Sequence, residues 1–154
     1  MNKLLIFVLL FLAGIDYCPA AYISPTGTYK LISKSKKVDE DTYGRWGDIH
    51  IKALSKNKIV IVLGVNMGAP GYNSGTLIDT LAYLDNKAVF KGNEWDRSCR
   101  ITFRFKSNGI SVTQHTDINW GCAFGQGVYI DGFYKKINGK VPVLRHPLTG
   151  KIIK

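Results

Sequence analysis

From Gly27 onward, apolar and polar residues alternate with a period of two, the spacing of strands that bury one face. The stretch Arg100–Lys106 carries it most cleanly: Ile101, Phe103 and Phe105 fall on one side, and Arg100, Thr102, Arg104 and Lys106 on the other. A half-buried antiparallel strand has this signature. Ser107-Asn108-Gly109 then reads as a turn, and Ile110–Gln114 continues the alternation. Upstream, Tyr29–Ile32, Asp48–Leu54, Lys58–Val65, Thr76–Leu84 and Lys87–Phe90 read as strands, and Val128–Tyr134 as the last. Ser55-Lys56-Asn57 turns one hairpin and Asp85-Asn86 another. The charged run Ser33–Thr42 lacks apolar spacing and reads as a loop. Asn66–Gly75, with three glycines, Pro70 and two asparagines, reads as the longest loop of the core.

These elements predict an all-β fold: a single small antiparallel β-barrel of about eight strands, with a β-sandwich as the alternative. Closure favours the barrel, because it removes the exposed edges that an open sheet must protect. No segment has the spacing of an amphipathic helix, and no linker points to a second domain. Past Gly139 the chain is basic and holds two prolines, with little sign of regular structure. The expected organisation is a leader over 1–21, a barrel over 22–139 and a basic tail over 140–154.

The leader reading rests on Lys3, the unbroken apolar run Leu4–Leu12, and the small residues around Cys18-Pro19-Ala20-Ala21. That is the layout of a secretory signal peptide. The run falls short of the ~20 residues that a membrane-spanning helix needs, so no transmembrane segment is expected in the mature chain. Tyr17 before Cys18 disfavours acylation at that cysteine. The expected location is therefore secreted or periplasmic, where disulfides persist. Cleavage after Ala20 removes one base, Lys3, and one acid, Asp16, so the net charge stays at +10. Such a charge favours anionic surroundings, although lysine excess also serves solubility alone.

Cys99 and Cys122 stand at either end of a predicted strand pair and are expected to form one structural disulfide. They lack the Cys-x-x-Cys spacing of a redox pair, and only His115 is close enough in sequence to join them around a metal. His50, His115 and His146 are scattered, and no Gly-x-Ser-x-Gly elbow supplies a nucleophile. Glu94 and Asp96 flank Trp95 but cannot face one another across a cleft, as paired catalytic carboxylates must; both read as surface residues. Gly125-Gln126-Gly127 has no third glycine and no following helix, so it is no dinucleotide fingerprint. Neither cofactor nor metal is expected. The leading reading is a non-catalytic binding or inhibitor-like module. The alternative is an envelope-associated structural protein binding anionic surface polymers, and a hydrolase without a recognisable motif comes third.

Binding is expected at two loops and on one strand face. Asn66, Tyr72 and Asn73 lie in the Asn66–Gly75 loop, and Trp120 and Gln126 in the Trp120–Gln126 segment. Arg97 and Arg104 belong to a basic cluster with Arg100 and Lys106. The aromatics of that strand, Phe103 and Phe105, point away from the bases, unlike a nucleic-acid-binding barrel face. A protein or an anionic envelope polymer is the expected partner, and nucleic acid is disfavoured.

The segments Cys99-Arg100-Ile101-Thr102-Phe103, Gly121-Cys122-Ala123-Phe124-Gly125 and Asp131-Gly132-Phe133-Tyr134-Lys135 resemble a group of small exported bacterial proteins of unassigned activity. Asn73-Ser74-Gly75 and Gly27-Thr28-Tyr29 extend the likeness over most of the mature chain. More loosely, the pattern is similar to the disulfide-bearing small barrels of the periplasmic lysozyme inhibitors. That resemblance implies a non-catalytic, inhibitor-like binding module. Ala123 stands where the pattern has glycine, and the strong positive charge departs from inhibitors that meet a basic enzyme with acidic loops.

Overall fold

The computed structural model describes residues 21–118 and 121–153. The proposed leader, up to Ala20, and Trp120 lie outside the described residues. Among the described residues nine strands form: β1 (Gly27–Leu31), β2 (Lys36–Val38), β3 (Asp41–Ser55), β4 (Lys58–Gly68), β5 (Ser74–Ala82), β6 (Lys87–Lys91), β7 (Arg100–Lys106), β8 (Gly109–His115) and β9 (Gly132–Asn138). A 3-10 turn covers Gly121–Ala123.

Eight strands make one antiparallel sheet in the order β5-β4-β3-β1-β9-β8-β7-β6, with β2 added outside on β3. Neighbours in the sheet are neighbours in sequence, save that β1 pairs with β3 past the short β2 and that β9 pairs with β1. The two ends of the path, β5 and β6, are consecutive strands and approach each other, so the sheet is a nearly closed up-and-down barrel.

Three local expectations are corrected. Ser33–Thr42 is not a loop throughout, because Lys36–Val38 pairs with Asp41–Tyr43 as a polar ribbon with nothing to bury. The Asn66–Gly75 loop is shorter, because Trp46↔Asn66 and Asn66↔Ser74 extend two ladders into it. The last strand is Gly132–Asn138 instead of Val128–Tyr134, and the apolar residues before it plug the barrel end.

Inward-facing residues fill the interior with Tyr29, Tyr134, Phe103, Ile49, Ile51, Ile61 and Ile101, all at or below 1% exposure. Each buried tyrosine must place its hydroxyl. Tyr29 donates to the Pro25 carbonyl (2.7 Å), Tyr134 to that of Ile130 (3.0 Å) and Tyr83 to that of Ile23 (2.5 Å). Burial pushes all three phenols up, Tyr83 to about 12 with help from neighbouring Tyr22. Ile23 covers one end of the barrel, and Phe124, Val128 and Ile130 cover the other. A Cβ at Gly75 would lie 2.8 Å from Val128 Cγ1 and 3.0 Å from Phe124 Cβ, so only glycine lets the plug seat there.

β4 is apolar on both faces. Ile59, Ile61 and Leu63 enter the core, while Val62 points outward yet is only 1% exposed. The C-terminal tail lies over this outer face. Leu144 is buried, and a Cβ at Gly64 would sit 3.4 Å from Pro147 Cβ. A small turn holds the tail, with Arg145 bridged to Ile152 and His146 N–H donating to the Lys151 carbonyl at 2.8 Å.

Candidate functional site

Cys99 and Cys122 form the expected disulfide, with Cα atoms 5.1 Å apart. It ties the plug to the start of β7. Asp96 lies beside it and corrects the surface reading, being only 5% exposed. Its Oδ1 accepts from Ser98 Oγ (2.5 Å) and Cys99 N–H (3.0 Å), and its Oδ2 from Cys122 N–H (2.7 Å) and Thr116 Oγ1 (2.7 Å). These donors, led by the Cys122 amide, hold the Asp96 carboxyl down at about 2. Asp96 and the two sulfurs are close enough to suggest a metal cluster, but both sulfurs are committed to the S–S bond. The knot is structural. Trp95 stands 80% exposed next to it.

At the plug end, the two predicted binding loops meet. Asn73 Nδ2 donates to the Gln126 carbonyl at 2.9 Å, and the Tyr72 hydroxyl donates to Asp41 Oδ1. Arg45 donates to the Tyr129 carbonyl at 2.9 Å and lies 4.2 Å from that ring's centroid. Asn66 is separate, on the outer face of β4 opposite Trp46. Arg97 is exposed in the turn before β7, and Arg104 is exposed on the outer face of β7.

The register reveals what spacing alone does not. Residues directly opposite in antiparallel strands share a face and lie about 5 Å apart. Lys87 is opposite Arg104, Lys91 is opposite Arg100, and Lys30 is opposite Lys135. Each is a pair of like charges, and all six side chains are exposed. No aspartate or glutamate occurs in β6, β7, β8 or β9. The ion-pair contacts among the described residues are His50–Asp48 (3.6 Å) and His115–Asp117 (3.5 Å), so no lysine or arginine there is paired with a carboxylate. Ser111, Thr102 and Thr113 sit among the cations, and Phe133, opposite Ser111, is the aromatic on this face.

Around the barrel from this face, a cleft of about 560 Å³ opens between the tail and the outer surface of β1, β3 and β4. Lys30, Trp46, Asp48, His50, Asn66 and Arg145 line it. His50 Nδ1 lies 3.3 Å from Thr28 Oγ1, and the contact steadies the ring beside Asp48. Of these residues only Asn66 was a sequence candidate. The available signal was the doubly apolar run of β4, which requires a cover on its outer face. In comparison with known proteins, the chain matches no family model, no curated protein and no solved structure.

Proposed function

We propose that this is an extracytoplasmic, non-catalytic module that binds anionic envelope polymers through the outer face of β6–β9. The observation that carries the reading is the set of like-charge pairs Lys87–Arg104, Lys91–Arg100 and Lys30–Lys135. Like charges set directly opposite destabilise a sheet, so Lys87–Arg104 and Lys91–Arg100 work against folding, whereas Lys30 also faces Asp48 on its other side. A polyanion laid across the face neutralises them. The cations of β6–β9, strands without aspartate or glutamate, also attract such a ligand from a distance in a salt-dependent way.

Lys91→Glu tests this by coupling two effects of opposite sign. The variant should gain roughly 0.2–1 kcal/mol in denaturant unfolding, because it converts a repulsive pair into an attractive one. It should also elute from a carboxylated-polysaccharide resin at clearly lower salt. Lys56→Glu, which makes the same change in net charge in the β3–β4 turn, should elute almost as the parent does. Equal loss of retention in both variants would reduce the face to general ion exchange and overturn the reading.

A protein partner is the second reading, favoured by the Asn73–Gln126 hydrogen bond. That bond joins two loops with exposed Tyr72 and Tyr129 into one surface on a rigid scaffold, an arrangement that suits recognition.

A further inference from the structure

We infer that the cleft beneath the C-terminal tail binds a uronic-acid unit of the polymer, which makes the ligand an acidic polysaccharide. The inference rests on the proposed polyanion-binding function and names its ligand class. The residues of the cleft divide by chemistry. Trp46 supplies a flat apolar surface of the kind against which a sugar ring packs. Asp48, Asn66 and His50 supply acceptors and donors for ring hydroxyls. Lys30 and Arg145 bring positive charge to the same cleft, where a sugar carboxylate finds charge-assisted hydrogen bonds. The volume of about 560 Å³ lies in the range of small-molecule sites.

Position links the cleft to the basic face. Lys106 is opposite Gly109, Gly109 opposite Lys135, Lys135 opposite Lys30, and Lys30 opposite Asp48. One row of outward positions thus runs from β7 across to β3, with successive strands about 4.8 Å apart. Three cations on that row lead a polyanion from the face to the mouth of the cleft. Asp48 at the end of the row discriminates between ligand classes. Its carboxylate accepts hydrogen bonds from the free ring hydroxyls that every uronic-acid unit carries and that a deoxyribose-phosphate backbone lacks. Trp46 is the one Trp, Tyr or Phe side chain among the lining residues, so the cleft offers a single broad stacking surface where a run of bases would use several.

Titration of the mature protein with a galacturonate hexamer, followed by tryptophan fluorescence, tests the inference. The acidic hexamer should change the emission saturably, and a neutral glucose hexamer should not. Trp46→Ala should abolish the change and weaken binding, measured by calorimetry, about tenfold. Lys30→Gln, at an exposed position, should weaken it severalfold. Wild-type affinity in both variants, or no response to the acidic hexamer, would overturn the inference. An equal response to a single-stranded oligonucleotide would overturn its ligand class. Salt-dependent retention on the polysaccharide resin, with the Lys91→Glu effect intact, would in those cases leave the polyanion reading standing. Loss of the Lys91→Glu effect would remove that reading as well.

Discussion

The Cys122 amide donates a 2.7 Å hydrogen bond to Asp96 Oδ2, so the plug is held to β7 by a carboxylate as well as by sulfur. The folded-state carboxyl titrates at about 2 against 3.8 unfolded, so the unfolded chain takes up its proton first as pH falls. The contribution of Asp96 is complete above pH 4 and is lost as pH falls through about 2. Urea midpoints measured between pH 2 and 6 should show this decline, and Asp96→Asn should remove most of it.

Replacing both cysteines by serine should cost roughly 3 kcal/mol, since the bond closes a loop of about 23 residues. The loss should appear in denaturant unfolding, while far-ultraviolet dichroism stays that of a β protein.

At alkaline pH the sign reverses. Tyr29, Tyr83 and Tyr134 keep their phenol protons in the fold beyond the pH at which the unfolded chain releases them, near 10.0. Stability should therefore fall as pH rises above 10 toward 12. Spectrophotometric titration should show these three phenols ionising only as the barrel opens.

Ala123 is exposed with φ 59°, a left-handed conformation that costs an L-residue about 1 kcal/mol or more. Ala123→Gly relieves that cost and loses part of the gain to a freer unfolded chain. The variant should be more stable by about 0.5 kcal/mol, read from thermal unfolding. The backbone at Ala123 thus favours glycine.

Leu144 seals the tail against the barrel. Leu144→Ala should cost about 2 kcal/mol and raise protease cleavage within the tail.

Strand faces were legible because burial on one side imposes a period of two, as Ile101, Phe103 and Phe105 show. The disulfide was legible because a hairpin separates its cysteines. The burial of Asp96 was not, since a carboxylate in a turn carries no periodic signal and its donors come from Ser98, Thr116 and Cys122. The like-charge pairs were hidden for a different reason: Lys91 faces Arg100 only once the register is set. Val62 lay in plain view within Lys58–Val65, but its meaning depends on a tail without pattern of its own.

The strand order also has a kinetic consequence. Every ladder from β3 to β5 and from β6 to β9 joins segments close along the chain, and such contacts form at small entropic cost. Thr28 meets Asn138 from opposite ends of the domain. Two meanders can therefore assemble early and independently, and the β1–β9 ladder is the slow step that unites them. Substitutions in β9 are then expected to retard refolding more than equally destabilising changes in the β3–β4 hairpin.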